Sequence, residues 1–96
     1  MTFQDFKENV TTSRRVEISC QMREFPLRYS YMDAFKLLNN DEVGEIVQAV
    51  ASYCFDGKET HFNELYMQMM YEVMKGDVDF AAYEYMVNNS LIAGEE

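Results

Sequence analysis

The stretch Asn39–Gly57, NNDEVGEIVQAVASYCFDG, decides the fold class. Val43, Ile46, Val47, Val50, Ala51 and Cys54 recur at the three-and-four spacing of one helix face. Asn39 and Glu42 stand three apart, as a capping pair does, with Asp41 as a competing cap. Asp56-Gly57 supplies a stop. The spacing predicts a short core helix with legible ends, and these residues name no reaction.

Outward from this helix the pattern is mixed. Tyr29 to Leu38 reads as a helix with Met32 and Phe35 on one side, and Asn39-Asn40 turns it into the central one. Pro26 pushes Phe25 into an extended conformation and separates what precedes it. From Arg14 to Met22 the period changes. Val16, Ile18 and Cys20 alternate with Arg15, Glu17, Ser19 and Gln21, the pattern of a half-buried strand. A lone strand is unstable. Three readings stand: a short second strand near residues 25–28, pairing across a dimer, or a helix with misleading alternation. Thr2 caps a first helix carrying Phe3, Phe6 and Val10, and Thr11-Thr12-Ser13 breaks it. Toward the C-terminus, residues 56–60 read as a loop and His61 to Lys75 as a helix. Gly76 breaks that helix, and Asp77 caps a last one running to about Asn88. Asn88-Asn89-Ser90 ends it, and Gly94-Glu95-Glu96 reads as a frayed tail.

These elements predict a mainly α fold: four or five short helices in a single compact domain, with one β-like segment near residues 14–21. Residues 1–24 form an N-terminal helix and β-like arm, and residues 25–96 an acidic helical domain. A chain of 96 residues makes one domain. Its 48% hydrophobic content, with seven Phe and seven Tyr, argues against disorder. No apolar run approaches the roughly 18 residues of a membrane span, and no basic segment precedes an apolar one as in a secretory signal. The expected location is the cytoplasm, with Cys20 and Cys54 both reduced. Two cysteines and the lone His61 match no zinc spacing.

Charge is the strongest global feature. The chain carries a net −9. Residues 1–38 hold six basic and five acidic side chains, a net +1, whereas residues 39–96 hold two lysines against twelve acids, a net −10. The later part repels a phosphate backbone, so direct duplex DNA binding is not expected. It attracts a basic groove on another protein.

Four sets of residues are candidates for function. Asp41, Glu42, Glu45, Glu72, Asp77, Asp79 and Glu84 are spread over three helices, as a solvating face or as a nucleic-acid-like surface that fills a basic channel. Asp77 and Asp79 also read as a helix cap and its dipole partner, or as carboxylates that hold Mg²⁺ through water. In the helix from His61, Leu65, Met69 and Val73 are read as facing inward. Met67, Met70, Tyr71 and Met74 are the candidate dimer face, against the alternative of a plastic core. Arg14, Arg15, Arg23 and Arg28 form a small basic patch, for phosphate or RNA contact or for local pairing with Glu17 and Glu24. His61 stands near no nucleophile, and no G-x-S-x-G or Gly-rich phosphate loop is present, so the expectation is a non-enzyme without cofactor or metal.

The run FPLRYSYMDAFKLLNNDEVGEIVQAVASYCFDGKETHF resembles the start of a small helical domain of unassigned function found in phages and mobile elements of Gram-positive bacteria, near replisome-organiser sequences. Tyr29, Ser30, Ala34, Leu38, Asp41, Glu42, Gly44, Glu45, Ala49, Tyr53, Phe55, Gly57, Lys58 and Glu59 carry the resemblance, which covers about residues 25–88. Asn39 stands where that family usually has proline, and acids replace its Lys/Arg/Gly-rich tail. The resemblance implies a helical fold and a phage or mobile-element setting in a bacterial host cell. Combined with the charge map, it leads to an inhibitor of a nucleic-acid-handling host protein, with a CRISPR effector nuclease as the target. The alternative is a replication accessory module of the replisome-organiser kind.

Overall fold

The computed structural model describes residues 2–89. It contains five helices: α1 (Phe3–Asn9), α2 (Thr12–Met22), α3 (Tyr31–Phe35), α4 (Asn40–Asp56) and α5 (Leu65–Asn88). The described residues include no strand. The mainly helical expectation holds, and the β-like segment at 14–21 is corrected: those residues lie inside α2.

The helix ends follow from side-chain capping. Thr2 and Asp5 form a reciprocal capping box on α1, and Asn39 and Glu42 form another on α4, which settles Asn39 over Asp41 as the cap. The break expected at residues 11–13 falls at Val10 and Thr11, and Thr12 and Ser13 already belong to α2, with Thr11 Oγ1 accepting from the Arg14 amide. The helix expected over Tyr29–Leu38 contracts to the five residues of α3. α4 ends at Gly57, whose left-handed φ of 71° lets its amide reach the Tyr53 carbonyl. A Cβ there would lie 3.1 Å from Val16 Cγ2 and 3.3 Å from Thr12 Cγ2, so Gly57 also lets α2 approach.

α5 is the spine. It runs unbroken for 24 residues through Gly76, so the predicted break there and the cap at Asp77 are corrected. The cost of one interior glycine is about 1 kcal/mol. Burying Met67, Met70, Tyr71, Met74, Val78, Ala82 and Met86 along one face outweighs it.

α4 and α5 lie side by side and point the same way. Tyr66, at the start of α5, donates from its hydroxyl to the Ala34 carbonyl just before α4, whereas Tyr53, in the last turns of α4, reaches Asp79. The segment 57–64 therefore returns along the pair. Tyr71 Oη accepts from the Thr60 amide, Gln68 Oε1 accepts from the Phe62 amide, and Glu59 meets Lys75. α3 lies against the first half of α5, with α4, around a core that includes Tyr31, Ile46, Val50, Tyr53 and Tyr71. α1 and α2 cover the second half around Phe6, Ile18, Ala82 and Met86. The result is an elongated body of 46 × 23 × 22 Å.

Candidate partner-binding surface

The seven carboxylates proposed to meet a partner divide into two groups. Asp77 and Asp79 are spent inside the molecule. Asp77 accepts from the Tyr31 hydroxyl and pairs with Arg28 Nε at 3.3 Å. Asp79 accepts from the Tyr53 hydroxyl at 2.7 Å and pairs with Arg15 Nε at 3.4 Å. Glu72 faces solvent but leans on Lys75 and on Gln68 Nε2. Glu42 is bound back to the Asn39 amide in the capping box. Of the seven, Asp41, Glu45 and Glu84 are exposed with no ion pair among the described residues. Asp41 and Glu45 are one turn apart on the outward face of α4, and Glu84 stands on the second half of α5. Of the seven acids read as a solvating face or a nucleic-acid-like surface, the exposed and unpaired ones are thus a pair on α4 and one residue on α5.

The proposed basic patch does not form either. Arg15 is 4% exposed. Its guanidinium donates to the Cys54 carbonyl at 2.7 Å, to the Tyr53 carbonyl and to Ser19 Oγ, and it stacks 4.3 Å over the Tyr53 ring. Cys20 Sγ donates to the Phe55 carbonyl. Residues of α2 thus supply donors to the last-turn carbonyls of α4, of which that of Tyr53 also accepts from the Gly57 amide, and Arg15 sets a positive charge at the negative end of the α4 dipole. Arg28 is tied to Asp77, and Arg14 leans on Glu17 at 3.5 Å. Arg23 is exposed in a left-handed conformation that ends α2.

Tyr53 is the hub of the buried polar network. Lys75 lies 5.2 Å from its ring centre on top of the Arg15 stack, and is bracketed by Glu59 at 2.7 Å and Glu72 at 3.4 Å. Burial pushes the Tyr53 phenol above its ordinary value, and donation to Asp79 adds to the shift. Tyr31 is raised in the same way by burial and by Asp77. Burial also raises the Asp79 carboxyl, with the Tyr53 hydroxyl and Arg15 opposing. Burial disfavours the Lys75 charge, but Glu59 and Glu72 outweigh it and hold the amine above its usual value. A cleft of about 160 Å³ opens beside this network, lined by Lys7, Thr11, Arg15, Tyr53 and Asp79 among others. Of its polar lining, Arg15, Tyr53 and Asp79 bond to one another. No group of three or more metal-ligating side chains occurs among the described residues.

The candidate dimer face is the core. Met67, Met70, Tyr71 and Met74 are all buried at 9% exposure or less, while Leu65, Met69 and Val73, expected to face inward, are 71%, 60% and 61% exposed. Both faces of α5 are apolar, so periodicity could not choose between them. The pair was separable only by knowing which face α4 covers.

Fold and surface together define a small all-helical domain held by a buried aromatic–ion network, with no helix among the described residues long and apolar enough to cross a membrane. Residues 24–90 match the family of unknown function DUF6291, and the chain belongs to that family. The match begins after α2, so α1 and α2, the latter carrying Arg15, precede it. No curated protein and no solved structure matches the chain.

Proposed function

We propose that this protein is a non-enzymatic inhibitor from a phage or mobile element that binds a basic surface of a nucleic-acid-handling host protein, with a CRISPR effector nuclease as the target. The observation that carries the reading is the charge asymmetry: a net −10 on residues 39–96, with Asp41 and Glu45 on α4 and Glu84 on α5 exposed and without an ion pair among the described residues. Such nucleases hold their guide–target duplex in a positively charged channel, which a negatively charged helical body can enter in competition. With Asp77 and Asp79 committed inward, the contact rests on Asp41, Glu45 and Glu84, not on the full set of seven. A homodimer through Met67, Met70, Tyr71 and Met74 forms no part of this reading, because those side chains are core.

The exposed apolar row on α5 favours a second reading, an accessory module that docks in a replication complex. A pull-down from host lysate separates the two: recovery of a nuclease with its guide RNA supports inhibition, and recovery of helicase-loading proteins supports replication. A gel shift of duplex DNA at moderate salt adds a check, because tight direct binding contradicts an acidic competitor.

A further inference from the structure

We infer that the outward face of α5 is the apolar centre of the partner contact and takes a basic amphipathic helix. Leu65, Met69 and Val73 stand at successive i, i+4 positions, forming one straight exposed ridge, the kind of ridge against which a second helix packs. Gly76, three residues after Val73 on the same side of the helix, is exposed, and a Cβ built on it meets nothing within 4 Å. An exposed glycine in the middle of a 24-residue helix has no role in the free chain, where alanine would serve better. Under a crossing helix it is the point of closest backbone approach.

The segment holding α3 runs beside this ridge, because Ala34 meets Tyr66 while Arg28 and Tyr31 meet Asp77. It adds Tyr29 and Met32, both more than half exposed. Glu64, the residue before α5, borders the ridge, and so does Glu72, where two carboxylates, Glu59 and Glu72, share the single Lys75. That acidic border selects an occupant with Lys or Arg flanking its apolar face. A second copy of this chain is disfavoured, since it would bring the same acids and another net −9 against them.

This inference rests on the reading that the protein meets a basic macromolecule, and the test separates the two. The probe is a fluorescein-labelled 18-residue helical peptide with Leu and Ala on one face and Lys on the other, titrated with the full chain. The ridge variant is Met69→Ser with Val73→Ser, and the α4 variant is Asp41→Lys with Glu45→Lys; all four positions are outside the core. The expected result is loss of peptide affinity by at least about tenfold in the ridge variant and less than about twofold in the α4 variant. Gly76→Leu should raise the unfolding midpoint of the free protein yet weaken the peptide, a combination that a purely structural glycine would not give. Peptide binding that the α4 variant abolishes and the ridge variant spares overturns the ridge while leaving the acidic reading standing. No binding by the wild-type chain overturns the ridge proposal, and so does a dimer in light scattering that the ridge variant dissolves.

Discussion

Arg15→Ala is the substitution that best exposes how the molecule is held together. The guanidinium joins α2 to the end of α4 and to α5 through Ser19, the Tyr53 and Cys54 carbonyls and Asp79. Hydrogen bonds from a charged donor are worth about 1.5–3 kcal/mol each, so three of them sum to more than half the total stability expected of a domain this size. The sum overstates the loss, because the adjoining cleft admits water to some of the abandoned acceptors. Removing one partner of a buried ion pair costs about 3–5 kcal/mol, which is the better figure here. For a domain under 100 residues each kcal/mol moves the thermal midpoint by roughly 4–8 °C, so a fall of at least about 12 °C is expected. Urea unfolding followed by far-UV circular dichroism gives the free energy directly. Arg15→Met combined with Asp79→Leu should recover most of the loss, since burial already disfavours the Asp79 charge and the double variant removes both ions. A loss below about 1 kcal/mol in Arg15→Ala would refute the claim that this side chain pins the N-terminal helices to the rest.

Other consequences can be checked on the same material. Gly57→Ala should destabilise by about 1–2 kcal/mol in urea titration, from left-handed strain plus contact with Val16 and Thr12. Gly76→Ala should stabilise by about 0.5–1 kcal/mol, because its site is open and helical. Tyr31 and Tyr53 hold their protons more tightly folded than unfolded, so their contribution is complete below pH 10.0 and drains as pH rises above it. Lys75 behaves likewise above 10.5. Stability measured against pH should therefore fall in that alkaline window, and Tyr53→Phe should flatten the fall. A thiol reagent should label exposed Cys20 in the native protein and reach buried Cys54, whose thiol burial pushes up, only on unfolding.

The central helix was legible because its information is local. Asn39 and Glu42 cap it and Gly57 ends it, each within a turn of the residues it serves. α2 was misread for a reason of long range. Its inward face is Arg15, Ile18 and Ser19, and two of those are polar, so the hydropathy pattern showed only the alternation of Val16, Ile18 and Cys20. What makes a buried arginine acceptable is the pair of last-turn carbonyls of α4, nearly forty positions away. α5 was split at Gly76 because a glycine normally signals an end, while the packing that carries the helix through it comes from α2 and α4. The same distance hid the fate of the carboxylates: nothing in the sequence ties Asp77 to Arg28 or Asp79 to Arg15.

The proposal that this acidic body competes with nucleic acid for a basic protein surface meets its most direct test in DNA cleavage by a guide-loaded CRISPR effector nuclease, titrated with the full chain at two salt concentrations. The account predicts dose-dependent loss of cleavage that weakens at higher salt and is relieved by Asp41→Lys with Glu45→Lys and Glu84→Lys. Undiminished cleavage at saturating protein, or inhibition indifferent to both salt and charge reversal, would contradict it.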